Sequence, residues 1–235
     1  MVNNMKIISH RGECKYAPEN TLSAFYLAKL INADGIECDV RKTKDNQLVL
    51  LHDESIDRTS NEKGKLKDYT YDQLLEFDFG NEKNKGEKIV KLEELLKQFS
   101  QSNIEIYIEI KESGYEEELL NVLYNYNLDN VILISFKYDI LEKIRSKNNY
   151  IKLCWLIYNI DSEKLKKAKN INLNQILCLA ANLTIQDLKK CKNDNIDVVA
   201  WGVKNKAEIM RLEKIGVDAI ICDSAYDCKK ILNYE

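Results

Sequence analysis

The sequence predicts a closed parallel barrel of eight strands and eight helices, the (β/α)8 or TIM barrel, with a small insertion after the second barrel strand region. Three observations carry this expectation. Short apolar, β-rich runs alternate with amphipathic helical stretches about eight times over 235 residues, a length at which such barrels fold as one unit. No G-x-G-x-x-G or Walker-type loop follows the first strand, as it usually does in the competing open, doubly wound sheet. Finally, polar side chains recur at the carboxyl ends of the strand candidates, the rim where barrels of this class carry their chemistry.

The elements follow in order. The strand candidate "KIISH" (6–10) leads into a helix over 21–33, where Leu22, Phe25, Tyr26, Lys29, Leu30 and Ala33 keep helical spacing and Asn20 or Thr21 can cap the start. "GIECDV" (35–40) and "LVLLH" (48–52) come next, then a helix over 91–101 and "NIEIYIEIK" (103–111). The alternation continues with helix 115–127, "VILISF" (131–136), helix 138–147, "IKLCWLI" (151–157), helix 161–169 and "QILCLA" (175–180). It ends with helix 184–194, "DVVAWGV" (197–203), helix 205–214, "DAIICD" (218–223) and helix 225–233, with Gly216 placed as a left-handed C-cap. Residues 53–88 break the rhythm: they are polar, carry three of the eight glycines, and are too long for a passive loop. They are expected to form a cap or lid on an otherwise single domain spanning 1–235, with a short helix entered through the capping-box pair Thr70 and Gln73 and running to about Phe77.

Composition narrows the function classes. A formal charge of −3 with scattered Lys and Arg gives no footprint for nucleic acid, the cluster "KLKKAK" (164–169) aside. Apolar runs such as "VILI" (131–134) are far short of a membrane span, so no stable membrane association is expected. The amino terminus has no apolar signal region, and the seven cysteines show no C-x-x-C spacing. Reduced thiols in a cytoplasmic protein are therefore expected, rather than disulfides or zinc.

The chemistry sits in the strands. In "GIECDV", Ile36, Cys38 and Val40 share one face while Glu37 and Asp39 share the other. In "NIEIYIEIK" four isoleucines face out, leaving Glu105, Tyr107, Glu109 and Lys111 facing in. Buried carboxylates repel each other and lose hydration, at several kcal/mol for each unpaired ion, so a positive charge must sit among them. Glu37, Asp39 and Glu109 at one rim are all oxygen donors and suit a hard divalent cation, Mg2+ or Ca2+. The only two histidines, His10 and His52, also end strand candidates at that rim.

The segments "HRGECKYAPENTLSAF", "GIECDVRKTKDNQLVLLHDESIDRTSN", "IVKLEELL", "IEIYIEIK", "ILISF", "VVAWGV" and "GVDAIICD" together resemble the glycerophosphodiester phosphodiesterase family, in order, from about residue 7 to 225. The resemblance implies a TIM barrel enzyme that uses a divalent metal to cleave glycerophosphodiesters into sn-glycerol 3-phosphate and an alcohol. It implies that Arg11 and Lys111 bind the phosphate, that His10 and His52 are the catalytic imidazoles, and that Glu37, Asp39 and Glu109 hold the metal. It implies that Phe136 and Trp201 line the substrate pocket. The chain departs from the family pattern at Gly202, Lys204 and Val90, and it lacks a proline after Asp223, which bears on substrate choice more than on catalysis. Two further readings are a lysophospholipase D-like enzyme acting on lysolipids and a non-catalytic glycerophosphodiester binder. The first would dock through Leu74, Leu75, Phe77 and Phe79 of the insertion.

Overall fold

The computed structural model describes residues 4–234. In chain order the strands are β1 (Lys6–Ser9), β2 (Gly35–Lys42), β3 (Leu48–Leu50), β4 (Glu105–Ile110), β5 (Val131–Ser135), β6 (Lys152–Ile157), β7 (Gln175–Leu179), β8 (Asp197–Trp201) and β9 (Ala219–Cys222). All except β3 run parallel, and β1 pairs with both β2 and β9, closing the ring of eight. The helices are α1 (Leu22–Leu30), α2 (Tyr71–Leu75), α3 (Leu92–Phe99), α4 (Glu116–Leu123), α5 (Tyr138–Lys147), α6 (Ser162–Asn170), α7 (Ile185–Asn193), α8 (Lys206–Ile215) and α9 (Ala225–Leu232). The chain is a TIM barrel. No helix among the described residues is long and apolar enough to cross a membrane.

Strand alternation divides the core in two. Ile36, Cys38, Val40, Ile106, Ile108 and Ile110 face outward and pack with helix residues such as Phe25, Leu95, Leu96 and Phe99. Ile8, Tyr107, Ile132, Ile134, Leu156, Leu177, Val199 and Ile221 fill the barrel interior as a separate cluster. Helix starts are set by short polar side chains. Thr21, Thr70, Asp161, Thr184, Asn205 and Ser224 each accept a hydrogen bond from a first-turn N–H. Gly216 closes α8 at φ +83°, as its position in the sequence predicts.

The run 48–52 departs from expectation. Its composition reads as a barrel stave, yet β3 is a short antiparallel strand paired with β2, Val40 opposite Leu50, and on its other side it makes only a single bridge, from Val49 to Lys91. The linker is the cause: residues 43–47 can turn a hairpin but cannot make the crossover of a dozen or more residues that a parallel partner requires. β2 overshoots the rim, β3 returns toward it, and the Leu51 N–H donates to the Asp39 carbonyl at 2.9 Å. His52 therefore reaches the rim from above rather than from within the barrel.

Residues 53–88 are polar in composition but not floppy in structure. Ile56, Leu66, Tyr71, Leu74 and Phe79 gather with Val49, Leu51 and Ile89 into a small apolar cluster of their own. The helix there stops at Leu75, two residues short of expectation, because Phe77 N–H turns back to the Leu74 carbonyl and tightens the chain.

Gly12 carries a prediction. Its φ is +80°, and a Cβ there would lie 2.6 Å from the Ala24 carbonyl carbon. Gly12→Ala should cost about 3 kcal/mol of stability. Gly86→Ala, at φ +86° with nothing within 4 Å, should cost only about 1–2 kcal/mol. Urea unfolding of the two variants side by side checks the difference; equal losses would remove the steric argument.

Candidate active site

The site is built from strand register. β2 and β4 pair so that Asp39 lies beside Glu109 and Glu37 beside Tyr107, which aims three carboxylates into one end of the barrel. Glu37, Asp39 and Glu109 are buried, and each offers an oxygen within 4.8 Å of the others. Two cations meet them. Arg11 Nε is 3.1 Å from Asp39 Oδ2, while Lys111 Nζ is 3.3 Å from Asp39 Oδ1 and 2.9 Å from Glu109 Oε1. Asn20 clamps Asp39 from both sides, donating from Nδ2 to Oδ2 at 3.0 Å and accepting from the Asp39 N–H at 3.2 Å.

These contacts do not complete the site. Asp39 Oδ1 and Arg11 Nε are buried with no well-aligned hydrogen-bond partner. Burial, with the charge of Asp39 beside it, pushes the Glu37 carboxyl up to about 8, and the same two causes raise Glu109. Asp39 is lowered because Arg11 and Lys111 outweigh its own burial. An all-oxygen pocket that holds on to a proton and leaves a carboxylate oxygen unbonded fits a hard divalent cation.

The two imidazoles flank this pocket, and each is oriented by a carboxylate. His10 follows β1; its Nδ1 lies 2.7 Å from Asp223 Oδ1 and its Nε2 lies 3.9 Å from Glu37 Oε2. His52 Nδ1 lies 2.6 Å from Asp53 Oδ1, and the His52 carbonyl accepts from Arg41 Nε at 2.9 Å. Burial works to lower the His10 pKa, but the bond to Asp223 and the charge of Glu37 prevail and raise it. For His52 burial prevails, with Arg11 and Lys111 adding to it, and the pKa falls.

Arg11 is held in the left-handed region at φ +55°, which points its N–H at Glu37 Oε2 (3.1 Å) while its side chain crosses to Glu19 (2.9 Å). Glu19 also accepts two bonds from Arg58, at 2.6 and 2.9 Å, and Arg58 Nε donates to Asp53 Oδ2 at 2.6 Å. A continuous chain of charge-assisted bonds thus runs from His52 through Asp53, Arg58 and Glu19 to Arg11. Farther round the rim, Phe136, Tyr158 and Trp201 form an aromatic group with ring centroids 5.5–5.7 Å apart. Phe136 and Tyr158 are exposed, and Trp201 is anchored by its Nε1 to the Ile157 carbonyl.

Residues 10–226 match the family model described as the glycerophosphoryl diester phosphodiesterase family. The chain belongs to that family. It is an enzyme of the phosphoric diester hydrolase class. A glycerophosphodiester phosphodiesterase of Caldanaerobacter subterraneus subsp. tengcongensis is 34% identical over 226 residues, covering 92% of this chain and 93% of that one. One of Bacillus altitudinis is 38% identical over 165 residues, covering 66% of this chain and 67% of the other. Among solved structures, a phosphodiesterase of Oleispira antarctica in complex with the product sn-glycerol-3-phosphate superposes with a TM-score of 0.90 at 23% identity. That superposition covers 98% of this chain and 97% of the other, and it shows the shared fold.

The fold brings His10, Arg11, Glu37, Asp39, His52, Glu109 and Lys111 together at this rim and sets Phe136 and Trp201 farther round it. It adds six residues, Tyr158 of the aromatic group among them, while Glu105 lies at the other end of β4 beside Lys6. Glu19 and Asn20 lie in the "PEN" segment, where Asn20 is expected only as a helix cap, and Asp53 directly follows His52. Asp223 ends the last strand candidate, the same positional signal that marks Glu37 and Asp39. Arg58 has no comparable signal, since it stands in the middle of the polar insertion.

Two predictions follow from this geometry. Arg58 touches no carboxylate of the pocket, so Arg58→Ala should lower kcat about 10–100-fold through misplacement of its partners. The urea midpoint should change little, and free guanidinium should restore part of the rate; an unchanged kcat would show that the bond chain positions nothing. The second prediction concerns pH. With its pKa raised to about 8 from an ordinary 4.5, Glu37 binds a proton in the folded state that the unfolded chain has released. Stability of EDTA-treated protein should therefore fall as pH rises through that window, and Glu37→Gln should flatten the slope. A midpoint that climbs from about pH 5 to about pH 8 in EDTA, in parent and variant alike, would contradict it.

Proposed function

We propose that this enzyme is a metal-dependent glycerophosphodiester phosphodiesterase that hydrolyses substrates such as glycerophosphocholine or glycerophosphoethanolamine to sn-glycerol 3-phosphate and an alcohol. One observation carries the reading: three buried carboxylates lie between two carboxylate-oriented imidazoles, with Arg11 and Lys111 beside them. Glu37, Asp39 and Glu109 would hold Mg2+ or Ca2+, which supplies positive charge against a phosphate oxygen and acidifies a neighbouring hydroxyl. Arg11, able to present two N–H groups, and Lys111, a point charge, complete the neutralisation of the phosphodiester. His10 and His52 divide the proton work, one accepting from the nucleophile and the other donating to the leaving alkoxide. Their opposite pKa shifts support such a division.

The product bound in the Oleispira antarctica relative is the one this reaction releases. Phe136 and Trp201, with Tyr158 as a third wall, would line the substrate pocket, where aromatic faces suit a quaternary ammonium head group. Residues 53–88 act as a cap on a single phosphodiesterase domain over 1–235, tied to the site by Arg58. The lysolipid reading is weaker on a specific ground. Leu74 and Phe79 are buried in the cluster of the insertion and Leu75 and Phe77 pack against it, so the apolar side chains there are turned away from a membrane surface.

The test is release of sn-glycerol 3-phosphate from a panel of glycerophosphodiesters and lysolipids. EDTA should abolish release from glycerophosphocholine, Mg2+ or Ca2+ should restore it, and His52→Ala should lower kcat about 10^2–10^4-fold. Full turnover in EDTA, or near-normal turnover by His52→Ala, would defeat the mechanism; preference for lysolipids would favour the alternative substrate class.

A further inference from the structure

A second set of metal-ligating atoms stands beside the carboxylate pocket. His10, Cys14 and Asp223 each offer one donor atom, and these atoms lie within 4.8 Å of one another. The spacing of cysteines in the sequence points away from zinc, but Asp223 is 213 residues from His10 and only the closed barrel brings the two together. The donors are an imidazole nitrogen, a sulfur and a carboxylate oxygen, the mixture that zinc takes and that Mg2+ and Ca2+ do not. His10 meets the two sets with different atoms: Nδ1 faces Asp223 at 2.7 Å, and Nε2 faces Glu37 at 3.9 Å. Cys14 is tethered to the same loop, its Sγ 3.7 Å from the Asp223 carbonyl, which also accepts the Lys15 N–H at 3.1 Å. Of the seven cysteines, Cys14 alone is not buried, and the Asp223 side chain is 74% exposed, so an ion can arrive from solvent.

We propose that His10 Nδ1, Cys14 Sγ and the Asp223 carboxylate form an inhibitory zinc site, completed by water, that withdraws His10 from the reaction. Its inhibitory effect rests on the role given to His10 above. Zinc takes the position between His10 Nδ1 and Asp223. The proton of the neutral imidazole moves from Nδ1 to Nε2, and the Cys14 thiol releases its proton to solvent. His10 then presents a protonated Nε2 toward Glu37: it has no lone pair with which to accept a proton, and it is not the imidazolium that would donate one. Tetrahedral zinc with bonds of about 2.0–2.3 Å spaces its donors roughly 3.5 Å apart. The His10–Asp223 pair must open by about 1 Å and the sulfur must close, motions within reach of an exposed aspartate and a loop cysteine. Without an ion, burial and the charge of Asp223 push the Cys14 thiol up to about 12, so oxidants and alkylating agents meet little thiolate. A dication reverses that balance, which makes metal capture the chemistry open to this thiol.

Zinc should inhibit the Mg2+-loaded enzyme, and Cys14→Ser should raise the half-inhibitory zinc concentration at least tenfold with basal turnover within about twofold of the parent. Independently of turnover, Co2+ should give the parent a near-ultraviolet thiolate-to-cobalt charge-transfer band that zinc bleaches and that Cys14→Ser lacks. The carboxylate pocket contains no sulfur, so cobalt bound there is silent in this band. Equal zinc sensitivity of parent and variant, no band in the parent, or a band that survives in Cys14→Ser would overturn the site. A protein inactive with every divalent ion that still shows the Cys14-dependent band would keep the site and overturn the reading of the reaction instead.

Discussion

Three acids packed into one end of a hydrophobic cylinder govern this molecule. Glu37, Asp39 and Glu109 occupy positions on β2 and β4 where a (β/α)8 barrel would otherwise place apolar or neutral side chains, and Tyr107, in register with Glu37, is fully buried. Charge in that setting is tolerated only when it is matched. Asn20, Arg11 and Lys111 supply part of the match, and the remaining mismatch is visible in the raised pKa of Glu37 and the unbonded oxygen of Asp39. The all-oxygen donor set suits a hard cation, and in the proposed reaction that charge would be part of how the substrate's phosphate is met.

The surroundings of the pocket distribute its demands across the chain. The loop after β1 contributes His10 and Arg11, and Glu13 in that loop is fully buried, where it accepts the N–H groups of Ala225 and Tyr226 at the start of α9. The same loop thus carries the His10 imidazole and locks the last helix to the first strand. On the other side the insertion contributes no carboxylate to the pocket but sends Arg58 to Asp53 and Glu19. Its apolar cluster gives that arginine a firm base.

Legibility varied with the range of the interaction. Alternation along "GIECDV" and "NIEIYIEIK" placed Glu37, Asp39 and Glu109 on the inward face, because side-chain direction in a strand depends on nothing but position. Helix starts at Thr21 and Thr70 were readable for the same reason, since a cap is a contact across three residues. The run 48–52 misled because a β-rich composition does not record strand direction; the short linker before it decides that. The apolar cluster of the insertion was hidden since its members are spread through a polar stretch with no single period.

By itself, then, the order of residues determined the barrel class, the inward carboxylates, the two histidines and the family. These depend on local periodicity and on short motifs whose geometry travels with the backbone. Closure of the barrel decided the rest: that Asp223 orients His10, that Arg58 joins Asp53 to Glu19, that Tyr158 stands with Phe136 and Trp201, and that Cys14 meets the main-chain carbonyl of Asp223, 209 positions away. A pairing of that range leaves no period in the sequence. It exists only because eight strands return the end of the chain to its beginning.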